Sequence, residues 1–312
     1  MIEIHDVTKR YGTTVAVDRL SFEVREGEVT GFLGPNGAGK STTMRMMVGL
    51  DIPTSGHVAI DGRSYGDLRF PLRHVGALLE ARAIHPGRSA RNHLRWLADS
   101  NGIARRRVDE VLELVGLASV ADRRAGGFSL GMGQRLGIAT ALLGDPAALL
   151  LDEPVNGLDP EGIQWIRQLL RSLAAEGRSV LVSSHLMSEM ALTADRLIVV
   201  GKGRLIADGT VDQVVKSTSI GYVRVETAEP EMLQRLLREA GAAVDAEPDG
   251  TIIVTGMHAR DIGIVAGSAG ITLYELSPRN ASLEEAFMEL TRDVSEYRAG
   301  GEPGIAHHGA AA

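Results

Sequence analysis

The stretch from Gly34 to Thr42, GPNGAGKST, combines residue types that bind phosphate groups. It matches the pattern G-x-x-x-x-G-K-[ST] at every specified position. Its three glycines allow successive main-chain N–H groups to converge on one anion, and the N-terminus of a following helix would add partial positive charge. Lys40 is predicted to reach the β- and γ-phosphates of ATP, and the Ser41 hydroxyl to bind Mg²⁺. The predicted nucleotide-binding residues of this loop are Gly34, Asn36, Gly37, Gly39, Lys40, Ser41 and Thr42.

Two acidic residues, Asp152 and Glu153, follow a short apolar run further along the chain. The run over 147–151 lies between two prolines, and its uninterrupted apolar character favours a strand buried on both faces of a parallel sheet. As in the Walker B pattern, Asp152 is predicted to hold Mg²⁺ and Glu153 to act as general base in ATP hydrolysis. The apolar run disfavours the alternative, a surface turn with two acids.

The segments around these residues alternate between strand and helix patterns. Residues 28–33 are mostly apolar, and residues 42–48 have the composition of a helix. The elements predicted after residue 151 are a helix over 160–176, a strand over 179–182, a helix from about Leu186 and a strand over 196–200. This alternation predicts a parallel α/β layer whose active site lies at the carboxyl ends of its strands.

Other parts of the first two thirds of the chain predict a flap and a helical region. Residues 2–5 and 15–24 alternate like half-buried strands, broken by a turn at Tyr11 and Gly12, and are expected to form an antiparallel flap. Further strands are predicted over 56–62 and over 75–79, the second ending at Glu80. The region from Ser89 to about Gly144 has helical spacing of its apolar residues.

The pattern changes near residue 217. The elements predicted beyond it are a strand over 222–227, a helix over 230–240, a hairpin over 244–255, a helix near 258–267, a strand over 271–276 and a helix opened by the capping box Ser282-x-x-Glu285. This order is compatible with a small ferredoxin-like domain. We expect an ATPase domain over 1–216 with a helical subdomain at about 86–144, an accessory α+β domain over 217–295 and a flexible Gly/Ala-rich tail over 296–312.

Composition narrows the classes of function. A net charge of −7 leaves no basic stripe for nucleic acid, so no nucleic-acid partner is expected. The run Arg105 to Arg107 is interpreted as a solvated helix start. The absence of cysteine excludes disulfides and thiolate metal sites, and no metal site is expected at His307 and His308. The apolar runs are too short to span a bilayer, and charges among residues 1–20 argue against a secretory signal, so a membrane process would need a membrane partner.

Five motifs, in their order and spacing over roughly residues 2–215, resemble the ATP-binding subunits of ABC transporters. They are the phosphate loop, the signature-like segment Phe128-Ser129-Leu130-Gly131-Met132-Gly133-Gln134-Arg135, the run Leu-Leu-Leu-Asp152-Glu153-Pro154, the segment Gly157-Leu158-Asp159 and the segment Ser183-Ser184-His185. The resemblance implies a head-to-tail dimer in which ATP on the phosphate loop of one copy is covered by Ser129 and Gly131 of the other. It also implies separate transmembrane permease subunits and a peripheral position at the cytoplasmic face of the cell membrane.

The resemblance assigns further roles by position. Tyr11 would stack on adenine, Asp159 would couple the two ATP sites, and His185 would contact the γ-phosphate, joining Glu153 and Lys40 as catalytic residues. Taken alone, Tyr11 is more typical of a strand residue that packs on a sheet.

Two positions depart from the usual family pattern. The signature is usually Leu-Ser-Gly-Gly-Gln; Ser129 and Gly131 are retained here, so closure on ATP is expected to survive. Gln is usual where this chain has Glu80, within a segment similar to the ATPases of bacitracin-resistance and lantibiotic-immunity exporters. A carboxylate can bind Mg²⁺ but cannot donate the amide hydrogen bond, so Glu80 is a predicted metal ligand beside Ser41 and Asp152. Our hypothesis is that Glu80 preserves hydrolysis and tunes coupling to the membrane subunit.

The C-terminal segment is similar to that of daunorubicin-type exporter ATPases. Either it contacts the second subunit or regulates closure, or it is an amphipathic helix docked on its own domain through Leu283, Phe287 and Leu290.

The sequence favours an ATPase subunit that drives export of a drug or antimicrobial peptide, and hence antibiotic resistance. The alternative is a soluble ABC ATPase that remodels a macromolecule in translation or DNA repair; those relatives usually carry two cassettes or a long coiled coil, whereas this chain has one phosphate loop and no heptad run. A nucleotide-binding regulator without turnover is disfavoured by the presence of Glu153 and His185.

Overall fold

The computed structural model describes residues 1–80, 84–217, 221–279 and 282–292. The strands are β1 (Ile2–Tyr11), β2 (Thr14–Val24), β3 (Val29–Leu33), β4 (Ser55–Ile60), β5 (Val75–Leu78), β6 (Ala148–Leu151), β7 (Ser179–Ser183), β8 (Arg196–Gly201), β9 (Arg204–Thr210), β10 (Tyr222–Thr227), β11 (Ala243–Ala246), β12 (Ile252–Thr255) and β13 (Leu273–Arg279). The helices are α1 (Lys40–Met47), α2 (Ala90–Ser100), α3 (Arg106–Leu114), α4 (Leu130–Leu142), α5 (Pro160–Ala175), α6 (Met187–Thr193), α7 (Val211–Lys216), α8 (Pro230–Glu239), α9 (Ala259–Ser268) and α10 (Leu283–Thr291). The tail expected over 296–312, including His307 and His308, lies outside the described residues.

A six-stranded sheet in the order β5-β6-β7-β3-β8-β9 forms the central layer. The pairs from β5 to β8 are parallel, and β9 joins β8 antiparallel. Strands β3, β6 and β7 are buried along their whole length, which is why their sequences are apolar runs without alternation. The predicted parallel α/β layer is confirmed.

Strand β9 and helix α7 were not predicted. Strand β9 lies at the edge of the central sheet, where most of its residues keep solvent contact. Its sequence RLIADGT contains Asp208-Gly209, a pair that is more typical of a turn than of a strand. The capping box between Thr210 and Gln213 then starts α7.

The predicted flap is confirmed as an antiparallel sheet in the order β2-β1-β4, and β4 is added to the two strands expected from the sequence. The flap lies over one face of the central sheet and shares an apolar cluster with α1, in which the ring centroids of Phe22 and Phe32 are 5.3 Å apart. On the other face, the region predicted as helical between Ser89 and Gly144 consists of α2, α3 and α4 with short 3-10 turns between them.

The strands beyond residue 221 form a separate antiparallel sheet in the order β11-β12-β10-β13. Helices α8 and α9 cover one face of it through an apolar cluster of their own. The predicted hairpin around Asp249 and Gly250 joins β11 to β12, with Gly250 at a φ of 88° that favours glycine. The order of strands and helices agrees with the ferredoxin-like arrangement expected from the sequence.

Helix α10 does not dock on the C-terminal sheet. Its buried residues Leu283 and Phe287 belong to the apolar cluster of the central layer, and the helix packs against α6 and α7. Of the two alternatives for this helix, docking through Leu283, Phe287 and Leu290 agrees with these contacts, but the surface that receives the helix is the central layer and not the C-terminal sheet. The sequence of an amphipathic helix predicts that one face is apolar, but it does not indicate which surface covers that face.

Candidate active site

The phosphate loop is held between neighbouring strands by close main-chain approach. Gly39 has a φ of 96° and directly precedes α1. A Cβ at Gly39 would lie 2.5 Å from the carbonyl oxygen of Ala16, and a Cβ at Gly34 would lie 2.5 Å from that of Val200. Only glycine fits at either position, so packing alone requires two of the glycines of the motif.

Lys40 folds back over this loop. Its Nζ donates to the carbonyl oxygens of Gly34 at 2.6 Å and Pro35 at 3.3 Å. Burial lowers the pKa of Lys40, and the nearby carboxylates of Glu153 and Asp152 oppose that shift more weakly. The result is a desolvated cation at the loop, which is the arrangement expected to attract a phosphate group.

The predicted magnesium residues Ser41 and Asp152 are brought together from α1 and the end of β6. Ser41 Oγ donates to Asp152 Oδ2 at 2.8 Å. The other carboxylate oxygen accepts from the Ser183 hydroxyl at the end of β7. No role was predicted for Ser183, although it belongs to the motif Ser183-Ser184-His185 and lies at the end of a buried strand beside β6.

Glu153 and His185 meet although 32 positions separate them. Nδ1 of His185 lies 2.7 Å from Glu153 Oε2, and the main-chain N–H of Glu153 donates to Ser183 Oγ at 3.0 Å. Strands β6 and β7 are parallel neighbours, so their carboxyl ends bring these residues to one edge of the sheet. The carboxylate is thus oriented by a neighbouring imidazole.

Glu80 lines one cavity together with Ser41 and Asp152. These three residues offer oxygen atoms of the kinds that Mg²⁺ binds, a hydroxyl and two carboxylates. In the described parts of the chain, no group of three His, Cys, Asp or Glu residues is placed to hold a metal ion. The donor set therefore fits a metal that is also bound by phosphate oxygens, and not a site built from protein carboxylates alone.

The signature-like segment lies elsewhere in the same chain. Ser129 caps α4 by accepting from the main-chain N–H of Met132 at 3.2 Å. It lines a cavity with Pro86 and Phe128, and among the described residues only Ile84 also lines the cavity of Ser41 and Asp152. Within one chain the signature-like segment and the predicted magnesium residues therefore belong to different cavities.

Two further predicted residues have local partners. Asp159 caps α5 by accepting from the N–H of Gly162 at 2.9 Å. Tyr11 is half exposed at the end of β1, where its hydroxyl donates to Asp51 Oδ2 at 3.2 Å and Lys9 Nζ lies 5.0 Å from its ring centroid. The ring of Tyr11 is therefore available to a ligand, whereas the carboxylate of Asp159 is already hydrogen-bonded.

Comparison with known proteins gives the family. The pattern of the ABC transporter family matches residues 17–156, and a domain of unknown function matches residues 221–284. The ABC transporter ATP-binding protein YhcH of Bacillus subtilis is 39% identical over 301 residues, which cover 95% of this chain and 97% of that protein. The chain belongs to the ABC transporter ATP-binding proteins.

Two relatives in this family carry names that refer to antimicrobial peptides. The bacitracin transport ATP-binding protein BcrA of Bacillus licheniformis is 37% identical, with 93% of this chain and 97% of that protein covered. The lantibiotic transport ATP-binding protein SrtF of Streptococcus pyogenes is 36% identical, with 68% of this chain and 92% of that protein covered. The resemblance to ATPases of bacitracin and lantibiotic systems is confirmed.

A solved structure supports the enzymatic assignment of this ABC protein. A dimeric ATP-binding cassette in a post-hydrolysis state, bound to ADP and phosphate, matches with a TM-score of 0.63 and 27% identity, covering 67% of this chain and 98% of the cassette. The protein is an ATPase that binds ATP, and a regulator without turnover is not favoured. Over the described ranges, no helix has both the length and the apolar character needed to cross a bilayer.

Proposed function

We propose that this ABC ATPase powers the export of an antimicrobial peptide or drug through a separate membrane permease. The observation that carries the proposal is the alignment with the bacitracin transport protein over nearly the full length of both chains, C-terminal sheet included. A soluble ATPase acting in translation or DNA repair is not favoured, because the bacitracin and lantibiotic relatives described above are named as transport proteins.

The site residues suggest how hydrolysis proceeds. The phosphate loop binds the β- and γ-phosphates with its N–H groups and with Lys40. Mg²⁺, held by Ser41, Asp152 and Glu80, would neutralise charge that develops on the phosphate oxygens. Glu153 accepts a proton from the attacking water, and His185 orients the Glu153 carboxylate. The contacts of Ser41 with Asp152 and of Glu153 with His185 support these roles.

A second copy of the chain is needed to complete each site. The separation of Ser129 from the phosphate loop within one chain supports a head-to-tail dimer, in which Ser129 and Gly131 cover the nucleotide of the partner. Tyr11 would stack on adenine through its exposed ring. Asp159 would couple the two sites from its place at the start of α5, where Oδ1 accepts from the N–H of Gly162.

The proposed organisation places the ATPase domain at residues 1–216, with the helical subdomain near 86–144 and the accessory domain at 217–295. The protein would lie at the cytoplasmic face of the cell membrane, held there by its permease. Closure of the dimer on ATP and its reopening after hydrolysis would move that permease.

Affinity purification of a tagged Glu153→Gln variant with ATP and magnesium tests the proposal. Slowed hydrolysis should hold the closed dimer on its partner in detergent-solubilised membranes, so a multi-span membrane protein is expected to co-purify. The matched control is Glu161→Gln, on the exposed first turn of α5, which should recover less of it. Recovery of ribosomes or DNA-repair proteins, or of no membrane protein, would reject the export proposal.

A further inference from the structure

The main chain of Glu153 is held from both sides. Its φ of 50° lies in the left-handed region that residues other than glycine rarely adopt. The N–H donates to Ser183 Oγ at 3.0 Å, and the carbonyl oxygen accepts from Gln134 Nε2 at 3.0 Å. A strained main chain persists only where its surroundings enforce it, and these two hydrogen bonds are such a constraint.

Gln134 belongs to α4, the helix that the signature-like segment begins. Its side chain is only 3% exposed. A buried amide group that loses its partner cannot take up water without cost, so the bond to the Glu153 carbonyl is the favoured state of this side chain. The helix is therefore tied to the residue proposed as general base.

Three other contacts join α4 to the segment that follows Glu153. A Cβ at Gly157 would overlap the side chain of Leu130, and a Cβ at Gly131 would lie 2.8 Å from the carbonyl oxygen of Gly157. Further along, the Arg135 guanidinium lies 4.5 Å from the ring centroid of Trp165. Helix α4 thus contacts the segment 153–165 near its beginning, middle and end.

We propose that Gln134 is a positioning residue for ATP hydrolysis, which holds the Glu153 carbonyl and makes the geometry of the general base depend on the signature helix of the same chain. The inference rests on the proposed roles of Glu153 and of the signature-like segment. When α4 of one copy engages the nucleotide of the second copy, its displacement is transmitted through Gln134 to the general base of its own site. Each site then responds to nucleotide at the other.

The variant Gln134→Met tests this inference, because Met has a similar shape and no donor. We expect kcat to fall about tenfold, the effect of losing one hydrogen bond of ordinary strength, while KM for ATP with magnesium stays within about twofold. Gln168→Met, on an exposed position of α5, is the matched control and should change neither constant. A thermal melt checks folding, and Gln134→Leu replaces the Met variant should that one unfold at the assay temperature.

The double variant with Glu153→Gln separates positioning from a general structural role. Residual hydrolysis is followed in single turnovers of radiolabelled ATP. If Gln134 acts through Glu153, Gln134→Met should lower the rate of the parent protein and leave the residual rate of Glu153→Gln unchanged. An equal loss in both backgrounds, or an unchanged kcat in Gln134→Met alone, would overturn the inference. Wild-type turnover by Glu153→Gln alone would instead reject the general-base role, and the positioning role with it.

Discussion

Nδ1 of His185 lies 2.7 Å from Glu153 Oε2, which pairs a largely exposed imidazole with a carboxylate whose side chain is only 25% exposed. The imidazole restricts the carboxylate to one orientation. Replacement by His185→Ala is expected to lower kcat by about 10²-fold, because a small misplacement of a catalytic group has effects of that size. Binding of ATP should persist, as the phosphate loop is untouched. Steady-state ATPase assays check this, with His258→Ala on the exposed start of α9 as the control; equal turnover in both variants would contradict the role.

Lys40 is predicted to favour binding at the expense of stability. Burial lowers its pKa from 10.5, so folding without nucleotide carries the cost of desolvating a charge. Lys40→Met should therefore raise the Tm of the nucleotide-free protein and weaken ATP binding about 10- to 100-fold. The gain in Tm should be full below the lowered pKa and shrink as the pH rises towards 10.5, because there the unfolded chain holds the proton more tightly than the folded one. Thermal melts at neutral and alkaline pH, with Lys216→Met as control, measure the gain in Tm and its dependence on pH. A Tm of Lys40→Met below that of the parent at neutral pH would be inconsistent with a desolvation cost.

Tyr11 offers an exposed ring rather than its hydroxyl. Tyr11→Ala is expected to weaken ATP binding by about 1 to 3 kcal/mol, the range found for a base stacked on an aromatic side chain, whereas Tyr11→Phe should bind as the parent does. Titration with a fluorescent ATP analogue measures the affinities. Tyr274→Ala removes a ring that is 69% exposed on β13 and serves as the control. Comparable losses in the Phe and Ala variants would point to the bond with Asp51 instead of stacking.

Phe287 ties the C-terminal helix to the central layer. Its side chain is 8% exposed, so Phe287→Ala should destabilise the packing of α10 on α6 by about 3 kcal/mol or more. Hydrogen exchange of residues 187–193 should then become faster, although these residues lie far from the mutation in sequence. Met288→Ala, at a position 64% exposed on the same helix, is the matched control. Unchanged exchange in α6 would show that the contact contributes little.

Glu80 is predicted to affect coupling more than hydrolysis. A Glu80→Gln variant loses a carboxylate from the cavity of Ser41 and Asp152 but keeps a side-chain oxygen that can bind Mg²⁺. We expect ATPase activity close to that of the parent and an altered amount of substrate exported per ATP, measured in vesicles that contain the permease. Equal export and equal ATPase activity would remove the hypothesis.

The parts of the site that local sequence encodes were predictable. The phosphate loop needs glycine for conformation and packing, and the apolar strand before Asp152 places that carboxylate at the sheet edge; both requirements are visible as residue type and spacing. Ser183 and Gln134 lie within two of the motifs, but no role was predicted for them, because their hydrogen bonds to Glu153 span 30 and 19 positions and no local pattern indicates such contacts.

The same distinction applies to the fold. The buried strands and the capping box at Ser282 are local features, and they were predicted, whereas the capping box that starts α7 at Thr210 was not. Strand β9 is held by its pairing with β8, so its own composition indicated a turn. The docking of α10 depends on an apolar surface formed by α6 and α7, far away in sequence.

The seating of α10 on α6 and α7 limits how this protein can be recombined with its relatives. A chimaera that exchanges everything after residue 216 would bring a foreign helix to a surface shaped for Leu283 and Phe287. Such a chimaera should keep residues 283–291 together with the parent ATPase part, or exchange α6 and α7 at the same time. Helices α6, α7 and α10 pack together and should be exchanged as one unit.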